Sequence, residues 1–168
     1  MDVKDDIAAV EASPKFAAFK KECNNAYLAH VFSMHGKGEA CHCQIGYYSP
    51  GKDKLIVFEA EPVKLLPEDD AFNRGEPIKR LDMDAVGLSC AEAEEKALTF
   101  QRQQFPNETV TKIIMVLQHL NRQLYNCTLI TDHFNILNVR LDAESGKVVS
   151  HEIKSILSLR KSDEEKKK

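Results

Sequence analysis

The chain has 168 residues and a formal net charge of −3 on 29% charged residues, so it lacks the basic excess that draws a protein to nucleic acid. Aromatic residues are 7% with no tryptophan, which leaves little base-stacking surface, while 43% apolar residues suffice for a core. The longest purely apolar runs, Leu55 to Phe58 and Ile113 to Leu117, fall far short of a membrane span.

Val3, Ile7 and Val10 lie on one face of a short first helix. Ser13 then reads as an N-cap, with Pro14 at the first helical position, where its missing N–H costs nothing. Beyond it Phe16, Phe19, Cys23, Tyr27, Val31 and Met34 recur at three- and four-residue steps and predict an amphipathic helix, closed by Gly36 and Gly38. Two strands follow. In residues 40–48, Cys41, Cys43, Ile45 and Tyr47 alternate with their neighbours. Turn residues Ser49 to Asp53 lead into a return strand from Leu55 to Ala60. Residues 64–77, punctuated by Pro67, Gly75 and Pro77, read as a linker.

Ser89 and Glu92 form a capping box, and the helix behind it should run to about Phe105 before Pro106. Its buried face would hold Ala93, Ala97, Leu98, Phe100 and Phe105. Four strands are expected next, over residues 109–119, 124–131, 134–141 and 147–156, with Asp142 to Gly146 as the last hairpin turn. The tail, 160–168, is dense in charge and expected to fray. The continuous apolar run Ile113 to Leu117 predicts a strand covered on both faces, by a helix on one and by a second helix, another sheet or a second subunit on the other.

These elements describe an α+β protein: helices packed on antiparallel sheet in one compact domain spanning 1–168. They also suggest two related α-β-β half-units, 13–63 and 88–156, of cystatin-like plan. The segment Leu141-Asp142-Ala143-Glu144-Ser145-Gly146-Lys147-Val148-Val149, with the alanine-rich helix from Ser89 to Ala97, resembles the PepSY domain family. The resemblance covers about Leu88 to Ile156. It implies one helix on an antiparallel sheet and a non-catalytic regulatory or inhibitory role, often toward peptidases. It carries no catalytic set to transfer.

Cys23, His30, His35, Cys41, His42 and Cys43 are the densest group of metal-ligand types. Cys41 and Cys43 share one strand face and His42 takes the other, so the expectation is no metal site, with the cysteines packing as small hydrophobes. Gly36-Lys37-Gly38 lacks the rest of a phosphate loop, and residues 82–93 lack oxygen ligands at the fifth and twelfth positions of a calcium loop. His119, His133 and His151 sit in or beside separate strands and read as solvated sheet residues. Glu59, Glu61, Glu68, Asp69 and Asp70 read as a solvated strand end and loop. No catalytic residue is assigned, the binding site is undefined, and no cofactor is expected.

The resulting expectation is a non-enzymatic binding or regulatory module of unknown ligand that self-associates. The alternative is a small-ligand carrier or enzyme with a pocket between helix and sheet. Partners are a second copy and an unknown protein or small molecule, with no nucleic acid and no membrane. The acidic start is followed by no apolar stretch of signal-peptide length, and five cysteines suit free thiols, so a cytoplasmic location is expected.

Overall fold

The computed structural model describes residues 2–67, 69–70, 77–158, 160 and 163. The first helix, α1 (Val3–Glu11), starts where the Asp2 carboxylate accepts the Lys4 N–H, and it buries Val3, Ile7 and Val10. The second, α2 (Pro14–Glu22), starts where Ser13 Oγ accepts the Phe16 N–H at 3.2 Å. It ends far earlier than its apolar spacing suggests. Residues 24–25, both asparagine, turn the chain, and Tyr27–Gly36 is a strand, β1.

The reason lies in the periodicities. Tyr27 and Val31 are four apart, which is close to one helical turn and also two full strand repeats, so that spacing fits either structure. The residues between them decide: Ala29, Val31, Ser33 and His35 are buried while the intervening side chains are not. Gly36 and Gly38 therefore serve the turn after β1, not a helix cap, and Gly38 has φ +84°.

Strands β2 (Cys43–Ser49) and β3 (Lys54–Ala60) form the expected hairpin. The segment expected as a linker instead adds two short strands, β4 (Val63–Leu65) and β5 (Asp69–Asp70), both paired to β3. They satisfy backbone groups on an edge that would otherwise be unpaired. Residues 68 and 71–76 of that segment lie outside the described residues, as do 161–162 and 164–168 of the charged tail.

After a 3-10 turn at Met83–Ala85, α3 (Cys90–Gln104) begins at the full capping box. Ser89 Oγ accepts the Glu92 N–H at 3.2 Å, and Glu92 Oε2 accepts the Ser89 N–H at 2.8 Å. The strands β6 (Val110–His119), β7 (Gln123–Thr131), β8 (Asn135–Asp142) and β9 (Val148–Ser155) follow close to their expected bounds. In the last turn Asp142 Oδ1 accepts the N–H groups of Ser145 at 2.8 Å and Glu144 at 3.2 Å, and Gly146 takes φ +74°.

All strands join one antiparallel sheet in the order β4-β3-β2-β1-β6-β7-β8-β9, with β5 beside β3. The order runs outward in both directions from the β1–β6 seam, where Val31 faces Leu117 and Ser33 faces Met115. The helices meet one face. Phe16 and Phe19 of α2 pack on Tyr47 and Phe58, Glu11 of α1 accepts from Tyr47 Oη, and Tyr125 Oη donates to the Leu88 carbonyl just before α3. This corrects the expectation for β6. Ile113, Met115 and Leu117 are buried on the helix face, but Ile114 and Val116 are only half-buried on the other, where no helix of the described residues makes these contacts.

Candidate functional site

A cleft of about 740 Å³ opens where α1, the start of α3, the β1–β2 turn and the end of β3 converge. Each element delivers a polar or thiol group to a place that packing alone would fill with carbon. The inward side of α1 brings Asp6, 8% exposed, on the same helical face as Val3 and Val10. Burial, and then the nearby Glu61 charge, hold its carboxyl above the usual aspartate range.

β1 lines the rim of the cleft with Phe32 and Met34, while its Ser33 and His35 are buried behind it. His35 Nε2 lies 3.0 Å from Glu94 Oε2, one turn into α3 from Cys90. The carboxylate accepts, so Nε2 carries the proton and Nδ1 keeps its lone pair in the neutral ring. That Nδ1 and the Ser33 hydroxyl are buried without a hydrogen-bond partner.

The thiols form the centre. Cys41, in the turn before β2, has its Sγ 4.0 Å from that of Cys43, the first residue of β2. Cys43 also meets the thiol of Cys90, the first residue of α3. The hydrogen bond to Cys43 pushes the Cys41 thiol well up, and burial adds to it. For Cys43 the contact with Cys41 works downward, but the bond to Cys90 and burial win, and its pKa rises to about 12. Both thiols are thus protonated at neutral pH, and a protonated thiol is a poor nucleophile. All five cysteines are free.

Of the residues singled out from sequence, Cys41, His42 and Cys43 line the cleft, as do Glu59 and Glu61. His35 stands behind it through Glu94. Cys23 is buried at the end of α2, within the core. His30 lies on the opposite sheet face, its ring over Gly46, where a Cβ would come within 2.1 Å of Cε1. Burial lowers its pKa. His119, His133 and His151 do not meet: Nδ1 of His119 contacts the Arg80 carbonyl at 2.9 Å, His133 lies by Glu108, and His151 packs on Phe100. Asp82 caps the 3-10 turn by accepting the Asp84 N–H at 3.0 Å. Glu68 lies outside the described residues. Cys90 was legible only as a capping-box neighbour, since no local spacing links it to residues 47 or more positions earlier.

A second group, Glu108, Asp132 and His133, has its donor atoms within 4.8 Å of one another. Its carboxylates are already engaged: Glu108 Oε1 accepts from Asn135 Nδ2 at 3.0 Å and Asp132 Oδ1 from the Thr109 N–H at 3.1 Å. It ties the loop before β6 to the β7–β8 turn.

No protein-family model matches the chain, and no curated protein sequence matches it. Among solved structures, the chain is similar to the crystal structure of a "putative lipoprotein" from Clostridium difficile 630, with a TM-score of 0.54 and 16% identity over 83% of this chain and 90% of that one. At that identity the likeness concerns the α+β fold alone. Among the described residues no helix is long and apolar enough to cross a membrane.

Proposed function

We propose that this protein is a non-enzymatic binding module whose ligand occupies the cleft between α1, the start of α3 and the ends of β1 to β3. The observation that carries the reading is the cleft itself. Its volume of about 740 Å³ suits a small ligand, and Asp6, His42 and the three thiols converge on it from four separate elements. The raised thiol pKa values favour binding over chemistry, because reactive cysteines depend on a lowered one. Five unpaired cysteines suit a reducing, cytoplasmic setting. The PepSY resemblance around Leu141 to Val149 adds a regulatory role to this reading, and the outward strand order on either side of the β1–β6 seam favours descent from two related half-units.

The test is a ligand panel read by thermal shift on the wild type and on Ala91→Trp. Ala91 is exposed on the first turn of α3 and lines the cleft, so the indole fills the cleft without entering the core. Compounds that raise the melting temperature of the wild type should lose that effect in the variant. Hits that persist unchanged place binding elsewhere and reject the reading.

Self-association has its own support. The sheet face away from the helices carries half-buried Phe32, Ile114 and Val116 beside Met34, which is 49% exposed. At the edge of the same sheet β9 is exposed along nearly its whole length. A second copy covering this face would bury apolar surface that now meets water. Light scattering coupled to gel filtration tests it: a dimer mass is expected, and a monomer at high concentration rejects it.

A further inference from the structure

We propose that the cleft holds a thiophilic d10 metal ion, zinc(II) or copper(I), bound by Cys41, Cys43 and Cys90. The inference rests on the reading of the cleft as a binding site and names the chemical class of its occupant. Three features point to a metal rather than an organic ligand alone. The first is spacing. The 4.0 Å between Cys41 Sγ and Cys43 Sγ is close to the separation of two sulfurs sharing one ion, since a Zn–S bond is about 2.3 Å and the tetrahedral angle sets them nearly 4 Å apart. The Cys43 thiol also meets that of Cys90, so the three sulfurs form a chain from the β1–β2 turn to α3, and an ion must draw its two ends inward to hold all three.

The second feature is access. Cys41 is exposed, Cys43 and Cys90 are half-buried, and all three line the cleft, so an ion can reach their sulfurs from solvent. Binding converts three thiols to thiolates, forms three metal–sulfur bonds and releases three protons to solvent, with no electron transferred. Soft sulfur ligands favour zinc and copper(I) over magnesium or calcium.

The third feature is the unsatisfied polar shell. His35 Nδ1 is buried without a partner behind this set, and the buried Ser33 hydroxyl lies beside the Cys41 thiol. Metal thiolates accept hydrogen bonds, so the Ser33 hydroxyl gains an acceptor once Cys41 is ionised. A three-thiolate site leaves a coordination position open toward the cleft, where an exchangeable ligand can add.

The experiment uses the full chain, reduced, metal-free and under argon, titrated with cobalt(II) as a spectroscopic stand-in for zinc. A near-ultraviolet thiolate-to-cobalt absorption band saturating at one equivalent is expected, with release of about three protons per ion in unbuffered solution. Cys41→Ser, Cys43→Ser and Cys90→Ser should each weaken cobalt binding by about tenfold or more. Cys23→Ser, at the end of α2, should leave it unchanged. Circular dichroism of each serine variant guards against loss of fold, and the proton count on the wild type does not depend on any variant. Zinc and copper(I) added in competition identify the ion by displacing the band. Absence of the band, or a band that survives in the triple serine variant, overturns the proposal. If the band is absent while panel compounds still give shifts lost in Ala91→Trp, the metal is rejected and the binding reading stands. If both are absent, both fall.

Discussion

On the β1–β4 side of the sheet two nine-residue helices meet the core: α1 through Val3, Ile7 and Val10, and α2 through Phe16 and Phe19, which surround Tyr47 and Phe58 with ring centroids 4.9 to 6.0 Å apart. On the β6–β9 side a single fifteen-residue helix covers the sheet with Ala93 and Ala97, both 0% exposed, over an aliphatic layer that includes Leu137, Val139 and Leu141. Small residues let one long helix lie flat on the strands, while on the other side the rings of α2 and the Val and Ile side chains of α1 fill the space. The two solutions leave different remainders. The alanine side is filled, with its buried Gln101 amide donating to the Phe105 and Glu108 carbonyls at 3.0 and 2.8 Å. The aromatic side keeps Asp6, Ser33 and His35 beneath a cleft, with Ser33 Oγ and His35 Nδ1 unpaired in its wall.

If that contrast is right, the sharpest break comes at the aromatic cluster. Phe58→Ala removes a fully buried ring at its centre and should cost about 3–5 kcal/mol in urea unfolding. A cost below 1 kcal/mol would mean that the short helices are not held by these rings. Next, Tyr125→Phe keeps the ring but strips the donor from the Leu88 carbonyl that anchors the approach to α3. Leaving that buried acceptor unpaired should cost about 1–3 kcal/mol, read by the same melts. Ser89→Ala dismantles one half of the capping box for about 1 kcal/mol, visible as a lower melting temperature and as faster amide exchange in the first turn of α3.

The smallest effect separates the two sides by pH. Asp142 is held below the ordinary aspartate range, chiefly by the Ser145 N–H, so its native form binds protons less readily than the unfolded chain. Its stabilisation is therefore complete above the unfolded carboxylate pKa and lost as pH falls through the native one. The stability gap between wild type and Asp142→Ala should close on acidification. Asp6 has the opposite sign: burial raises its pKa, so the native state favours its protonated form, and ionisation at neutral pH is destabilising. Asp6→Asn should stabilise slightly at pH 7 and lose that advantage as pH falls below the carboxylate range. Equal pH slopes in the two variants would erase the distinction.

The same asymmetry governs how much was legible before any coordinates. From Ser89 onward each boundary has its own local chemistry: the capping box starts α3, Pro106 follows its end, and Asp142 with Gly146 closes the last hairpin. Those signals act over three or four residues and do not depend on the rest of the fold. The first part offers weaker stops. Only the four residues Cys23 to Ala26 separate α2 from β1, and the four-residue steps through Cys23, Tyr27 and Val31 satisfy helix and strand alike. Once β1 was read as helix, Ser33 and His35 had no assigned face, although alternation would have placed both inward. The site was less legible still. Cys41 and Cys43 were visible as neighbours, but Cys90 joins them through tertiary packing of α3, and a lone cysteine behind an N-cap carries no hint of its destination.

The two borders of the sheet are unequal. β9 offers eight residues of open backbone, whereas the far side ends in β4, three residues long, with the two-residue β5 beside it on β3. Growth of a fibre requires a usable rim at each end, so that every added copy presents a fresh one. Among the described residues only one rim is long enough to template a neighbour. A pair formed edge to edge through it would consume the very feature that recruits a third chain, so lateral assembly would stop at two copies.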